Sequence, residues 1–185
     1  MRDKTRNRNG RCFFLTFGLL ALLFSTSLAF SAVVGRFNDA VAAYERGDYA
    51  TAFRLMKPFA EKGDAKAQHN LGVMYEKGQG VPQNFTEAAK WYRRAAEQGL
   101  PESQVNLGML YYNGQGVPQD YVMAHMWLSL AASQYPASVR KNVNDIVHYK
   151  EIVDAKMTPA QIAEAERLAR KWRPKPEGKY TRGHQ

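Results

Sequence analysis

The sequence predicts an all-α protein, an α-α superhelix of stacked helical hairpins that ends in a C-terminal helical cap. A segment of 36 residues occurs twice in tandem, at 65–100 and 101–136, and 16 of the 36 aligned positions are identical. In each copy, apolar residues recur at helical spacing on both sides of a turn rich in glycine and proline. A single αα-hairpin cannot bury its apolar face, so tandem copies are expected to stack into a solenoid.

Composition and charge exclude several other classes of protein. The chain has 185 residues, 45% of them apolar, which suffices for a folded core. The formal net charge is +9, but residues 1–31 and 171–185 each carry a surplus of four positive charges, which leaves +1 for the middle of the chain. A basic groove for nucleic acid is therefore not expected. The single Cys12 cannot form an intramolecular disulfide or a cysteine-based zinc site.

The N-terminal segment 1–31 is typical of an export signal. Basic residues within 2–11 precede an apolar, uncharged run at 12–24, and small residues follow it. We expect cleavage after Ala29 or Ser31 and localisation of the mature chain in the periplasm. The alternative is an inner-membrane anchor at 12–34 with the domain facing the periplasm, because the uncharged stretch is long enough to span a bilayer. Membrane contact is expected only through this segment, if it remains uncleaved.

The ends of the helices are marked by residues that stop or cap a helix. Residues 37–64 read as a first helical hairpin with its turn at Gly47 and Asp48. In the repeats, glycine stops the first helix because it adopts the left-handed conformation at little cost, and proline prevents its continuation. Asn84 and Asp120 can cap the second helix, and Gly72 leaves room for a neighbouring helix. Positions identical in both copies form the predicted structural repeat core: Leu71, Gly72, Gly78, Gly80, Pro82 and Trp91, and Leu107, Gly108, Gly114, Gly116, Pro118 and Trp127.

These motifs resemble a known family. The sequence NLGVMYEKGQGVPQNFTEAAKWYRRAAEQG and its copy at 106–135 resemble Sel1-like repeats, which are relatives of the tetratricopeptide repeat. Residues 37–64 resemble a shorter tetratricopeptide-like hairpin, and residues 157–175 resemble the helix that often closes such arrays. The resemblance implies an α-solenoid used as a protein-binding scaffold, often in bacterial envelopes. One branch comprises cysteine-rich β-lactam-binding proteins, but this chain lacks the paired cysteines, and that activity is not transferred to it.

The second helix of the second repeat is unusually apolar, which predicts the cap. Three charged residues of the first repeat are replaced there by Met123, Met126 and Leu130. A helix that is apolar almost all round is either buried or a docking surface. We expect capping helices at 137–173 to bury it and 174–185 to be a disordered basic tail; the alternative is an exposed patch that binds a partner. The predicted apolar stripe of the first capping helix consists of Val139, Val143, Ile146, Val147 and Val153.

The sequence offers no motif for catalysis, and the expected function is therefore binding. The four histidines lack metal-ligand spacing, and no HExxH, CxxC, GxSxG or nucleotide loop is present, so no metal, no cofactor and no enzymatic activity are expected. We expect a scaffold, structural or regulatory, that binds an envelope protein or peptide. A β-lactam-binding protein or another cell-wall-directed enzyme is the alternative. The residues expected to contact a partner lie on the first helices of the repeats: Asn70, Tyr75, Asn106, Tyr111 and Tyr112.

Overall fold

The computed structural model describes residues 37–134 and 140–175, and within these ranges the chain is helical without strands. The predicted all-α fold is confirmed. The predicted signal segment 1–31 lies outside the described residues, as does the tail beyond Lys175. The helices are α1 (37–45), α2 (Tyr49–Glu61), α3 (Ala65–Lys77), α4 (Phe85–Glu97), α5 (Pro101–Asn113), α6 (Tyr121–Gln134), α7 (Arg140–Asp154) and α8 (Pro159–Lys171).

Each helix from α2 to α6 packs against the next one along the chain, which is the arrangement of a solenoid. The caps act as the sequence predicts. The side-chain oxygen of Asn84 accepts from the backbone N–H of Glu87 at 3.0 Å, and that of Asp120 accepts from the N–H of Met123 at 3.0 Å. Both caps follow the GQGVPQ turn and satisfy N–H groups that the first turn of a helix leaves without a partner.

The two glycines of each turn have different tasks. Gly78 and Gly114 end α3 and α5 in the left-handed conformation, both at φ +68°. Gly80 and Gly116, also at positive φ, lie against the first residue of the preceding hairpin's second helix, Tyr49 and Phe85. A Cβ atom at either position would collide with backbone atoms there. The turn therefore joins consecutive hairpins as well as ending a helix.

The positions identical in both repeats fall into a buried set and an exposed turn. Leu71, Gly72, Leu107 and Gly108 are buried, and Trp127 is 4% exposed. The turn prolines Pro82 and Pro118 are exposed, so the turn belongs to the repeat geometry without being part of a buried core.

Trp91 differs from its counterpart Trp127, because it remains half-buried at the edge of the cluster formed by α1, α2 and α3. The guanidinium carbon of Arg94 lies 4.7 Å from the centre of the Trp91 ring. The fully buried aromatic residue of α4 is the neighbouring Tyr92. It is not among the predicted core positions, because the second repeat has Leu128 there.

The helices α7 and α8 both pack on α6, as expected for a cap. Leu168 of α8 and Trp172, the residue that follows this helix, contact the cluster that contains Met126 and Leu130 of α6. Beyond α8 the chain reaches α4, where the backbone N–H of Lys175 donates to the carbonyl oxygen of Glu97 at 2.7 Å. The apolar helix α6 is thus covered on the side where the first repeat has charged residues.

The predicted stripe of α7 is partly wrong. Ile146 and Val153 are buried, but Val147 is 41% exposed. The buried seam of α7 against α6 is narrow, and a residue one position further along the helix is turned about 100° away from it. Val139 and the side chain of Val143 lie outside the described residues.

Candidate protein-binding groove

Two adjoining cavities follow the first helices of the hairpins and continue onto α7. Their volumes are about 280 and 330 Å³. His69 and Glu102 line both cavities, so the two cavities adjoin, and together they form the candidate groove. The other lining residues of the first cavity are Phe37, Val41, Lys66, Asn70 and Leu100, and those of the second are Val105, Asn106, Asp145, Ile146 and Tyr149.

The groove has a polar centre and a charge gradient. Lys66 lines only the first cavity, Glu102 lines both, and Asp145 lines only the second, so the charge becomes more negative toward α7. Between them, Nδ1 of His69 lies 2.9 Å from Oγ of the buried Ser103, which fixes the orientation of the imidazole ring. Burial lowers the pKa of His69, while Glu102 and Glu76 act in the opposite direction. His69 is therefore a neutral hydrogen-bonding group at neutral pH.

The predicted contact residues divide between the groove and partly buried positions outside its lining. Asn70 and Asn106 occupy equivalent positions in the two repeats, and both line the groove. The three tyrosines are engaged elsewhere. Tyr75 packs edge-on against Phe53, Tyr111 accepts a hydrogen bond from Arg93 at 2.6 Å, and Tyr112 packs against Tyr121.

Part of the groove escaped prediction from the sequence. His69 and Val105 occupy equivalent positions but differ in polarity, which is a signal of a surface that is not fixed by stacking. By contrast, Asp145, Ile146 and Tyr149 come from α7, which belongs to no repeat, so no comparison between repeats could identify them.

A ladder of four glutamines, of which Gln68 and Gln104 are buried, links the helices within and between consecutive hairpins. Gln68 donates to the carbonyl oxygen of Ala60 at 3.0 Å, and Gln104 donates to that of Ala96 at 3.2 Å. Gln98 donates to Gln68 at 2.7 Å and Gln134 to Gln104 at 2.8 Å. These glutamines are identical in the two copies, and this identity was the signal in the sequence that could have identified them. They stabilise the stacking of the hairpins that carry the groove.

The described part of the chain offers no evident site for a metal ion. In residues 37–134 and 140–175, no three His, Cys, Asp or Glu side chains come together as a ligand set. None of the helices within the same ranges is both long enough and apolar enough to cross a membrane.

The stacked hairpins and the groove along their first helices define an α-solenoid repeat protein. The model of the Sel1 repeat matches residues 40–64, 65–100 and 101–135. The chain belongs to the Sel1 repeat family. Sel1 solenoids typically serve as scaffolds for protein–protein interaction.

Relatives of known structure share this architecture. A protective antigen of uropathogenic Escherichia coli that displays an SLR fold superposes with a TM-score of 0.67 at 31% identity, over 80% of this chain and 31% of that one. A Sel1 repeat protein from Oxalobacter formigenes gives a TM-score of 0.51 at 37% identity, over 57% of this chain and 43% of that one.

A similarity to curated mammalian proteins is confined to a short segment. DAP3-binding cell death enhancer 1 from Rattus norvegicus and its namesake from Mus musculus are each 42% identical to this chain over 42 residues. The match spans 23% of this chain and 8% of either relative. The matched segment is about as long as one repeat.

Proposed function

We propose that this protein is an exported, non-enzymatic scaffold that binds an extended segment of an envelope protein in the groove along α1, α3, α5 and α7. The proposal rests on one observation, that two cavities along the first helices adjoin and share His69 and Glu102 in their linings. Export is supported by the arrangement of basic, apolar and small residues in 1–31.

The chemistry of the lining suits a peptide backbone. A carboxamide side chain both donates and accepts hydrogen bonds, as a backbone amide does, so Asn70 and Asn106 can each pair with one peptide unit of a partner. Apolar contacts come from Val41, Leu100 and Val105. Binding sites of this kind combine an apolar surface with a few polar groups that fix the orientation of the ligand.

Photo-crosslinking in the cell tests the groove directly. A benzophenone amino acid at Val105 lies in the lining of the second cavity, and the same probe at the exposed Lys90 of α4 lies outside both linings. We expect a discrete adduct from position 105 and none of the same mass from position 90. The adduct should disappear when Asn70 and Asn106 are both replaced by alanine.

Asn113→Ala is the matched control, because Asn113 is an exposed asparagine of α5 outside the lining of the groove. The adduct should persist in this variant. Since Asn106 also interacts with the Tyr92 hydroxyl, thermal unfolding of each variant must show that the fold is retained. An adduct that survives in the folded double variant would contradict binding in the groove.

A further inference from the structure

A buried histidine joins the cap to the last repeat. His125 of α6 has no exposed surface, and its Nε2 lies 3.2 Å from Oδ1 of Asp154, the last residue of α7. The two atoms lie within ion-pair distance but lack the geometry of a hydrogen bond. Within the described residues, neither atom has a hydrogen-bond partner. Nδ1 of His125 lies 3.3 Å from Oγ of Ser129. The first repeat has Ala89 at this position, so the pair belongs to the cap junction alone.

Charged groups approach His125 from two helices that pack on α6. From α7, Lys150 places its Nζ 3.1 Å from Oδ2 of Asp154 and so already neutralises part of that carboxylate. From α8, Glu166 acts on the imidazole over a longer distance. The only charged residue of α5 is Glu102, near its N-terminal end, whereas His125 is near the start of α6 and so beside the other end of α5.

We propose that the contact between His125 and Asp154, called the clasp below, makes the packing of α7 on α6 sensitive to pH, because α7 packs closely only while His125 is neutral and protonation of His125 loosens it. An imidazolium at this position would be shielded from water and would lie near the ammonium group of Lys150. The carboxylate of Asp154 cannot offset both costs, because it is already paired with Lys150 and is poorly aligned with Nε2.

The direction of the effect follows from the pKa of His125. Burial lowers this pKa below its usual value, Lys150 lowers it further, and Asp154 and Glu166 oppose the change less strongly. Because the folded state then binds a proton less readily than the unfolded state, the contribution of the clasp to stability is present above about pH 6.5 and is lost as the pH falls through the folded-state pKa. Acid therefore opens the junction.

Loosening of α7 would alter the groove. Asp145, Ile146 and Tyr149 of α7 line the second cavity, and Ile146 also belongs to the buried cluster between α6 and α7. This consequence for binding rests on the proposed function, whereas the clasp itself does not.

Hydrogen exchange of the full chain at pH 7.5 and pH 5.5, corrected for intrinsic exchange rates, tests the clasp without any partner. We expect the protection of α7 amides to fall on acidification relative to that of α3 amides. His125→Gln should abolish this relative loss, because it removes the titrating group. His148→Gln is the control and should retain the loss, because His148 lies on α7 itself but its side chain is 69% exposed.

The Lys150→Met variant retains His125 and tests the same proposal if the His125→Gln variant fails to fold. Without the competing ammonium group, Asp154 can pair with the imidazolium, and the loss of α7 protection at pH 5.5 should become smaller than in the wild type. An equal or larger loss in Lys150→Met would overturn the proposal. It would also be overturned by a wild-type chain whose α7 protection does not change relative to α3, or by a folded His125→Gln variant that retains the full loss.

Discussion

Single residues set the distance between helices α3 and α4. A Cβ atom on Gly72 would lie 2.5 Å from the ring of Tyr92, which is fully buried and donates a hydrogen bond to Glu76. In the second repeat, a Cβ on Gly108 would lie 3.1 Å from Leu128. The sequence predicted a close approach at Gly72, but Tyr92 could not be identified as the residue that fills this space, because a tyrosine with a hydroxyl partner and an exposed tyrosine look the same in a sequence.

We expect Gly72→Ala to destabilise the protein more than Gly108→Ala. Overpacking of a core typically costs about 1–3 kcal/mol, while alanine recovers up to about 1 kcal/mol of helix propensity. At Gly72 the new Cβ would overlap the buried Tyr92 ring, which the hydrogen bond to Glu76 helps to hold in place. At Gly108 the Leu128 side chain and the backbone oxygen of Ala124, at 3.1 and 3.2 Å, need to give way only by a few tenths of an ångström. Urea denaturation measures both free energies of unfolding. A Gly72→Ala variant as stable as the wild type would show that α4 can move away freely.

The glutamine ladder gives a second prediction for single residues. Gln104→Leu should lower the free energy of unfolding by about 1–3 kcal/mol, because it leaves the buried carbonyl of Ala96 without its side-chain partner and removes the acceptor for Gln134. Gln119→Ala is the control. Its amide donates to the carbonyl oxygen of Tyr112 at 2.8 Å, but Gln119 is exposed, and water can replace it. Similar losses in the two variants would contradict a specific role for the buried ladder.

Among the helices, α6 and α7 show which packing contacts a sequence pattern can predict and which it cannot. The replacement of charged residues by Met123, Met126 and Leu130 correctly indicated that another element covers this helix. In the structure, a capping box between Thr158 and Gln161 marks the start of α8, which provides part of that cover. The orientation of α7 was less predictable. Periodicity identifies an apolar side of a helix, but the width of the buried seam depends on how the two helices pack, and Val147 therefore remained on the exposed side.

Removal of α8 should cause self-association. A chain truncated after Lys156 lacks Leu168 and Trp172, so it should expose the apolar side of α6, including Met126 and Leu130. An exposed contiguous apolar patch favours association with a second copy. Sedimentation velocity should show dimers or larger species at micromolar concentration.

The matched control for this truncation ends after Lys175. It keeps α8 and the bond from Lys175 to Glu97, and it should sediment like the full folded domain. A chain truncated after Lys156 that stays monomeric and melts at the wild-type temperature would mean that α8 is not needed to cover α6.

For the whole molecule, the tandem repeat made the solenoid predictable, whereas the groove was only partly so. Two copies with 16 identical positions imply hairpins that stack in the same way, and the asparagines at equivalent positions lie on the face that carries both cavities. The last wall of the groove comes from α7, whose placement depends on interactions that occur once, such as that between His125 and Asp154. Repetition carries no information about a contact made only at the end of the array.

The last prediction concerns the mature chain. If residues 1–31 direct export and are then removed, protein purified from the periplasm of an expressing bacterium should begin at Phe30 or Ala32, because small residues stand at the −1 and −3 positions before both sites. Intact-mass spectrometry distinguishes the two starts, and replacement of Ala29 and Ser31 by bulky residues should block processing at both. The expected product loses the five basic residues of 2–11 together with the acidic Asp3, so its formal charge falls by four, from +9 to +5. Recovery of the chain in the membrane fraction with residues 1–29 still attached would contradict cleavage and support the anchored form.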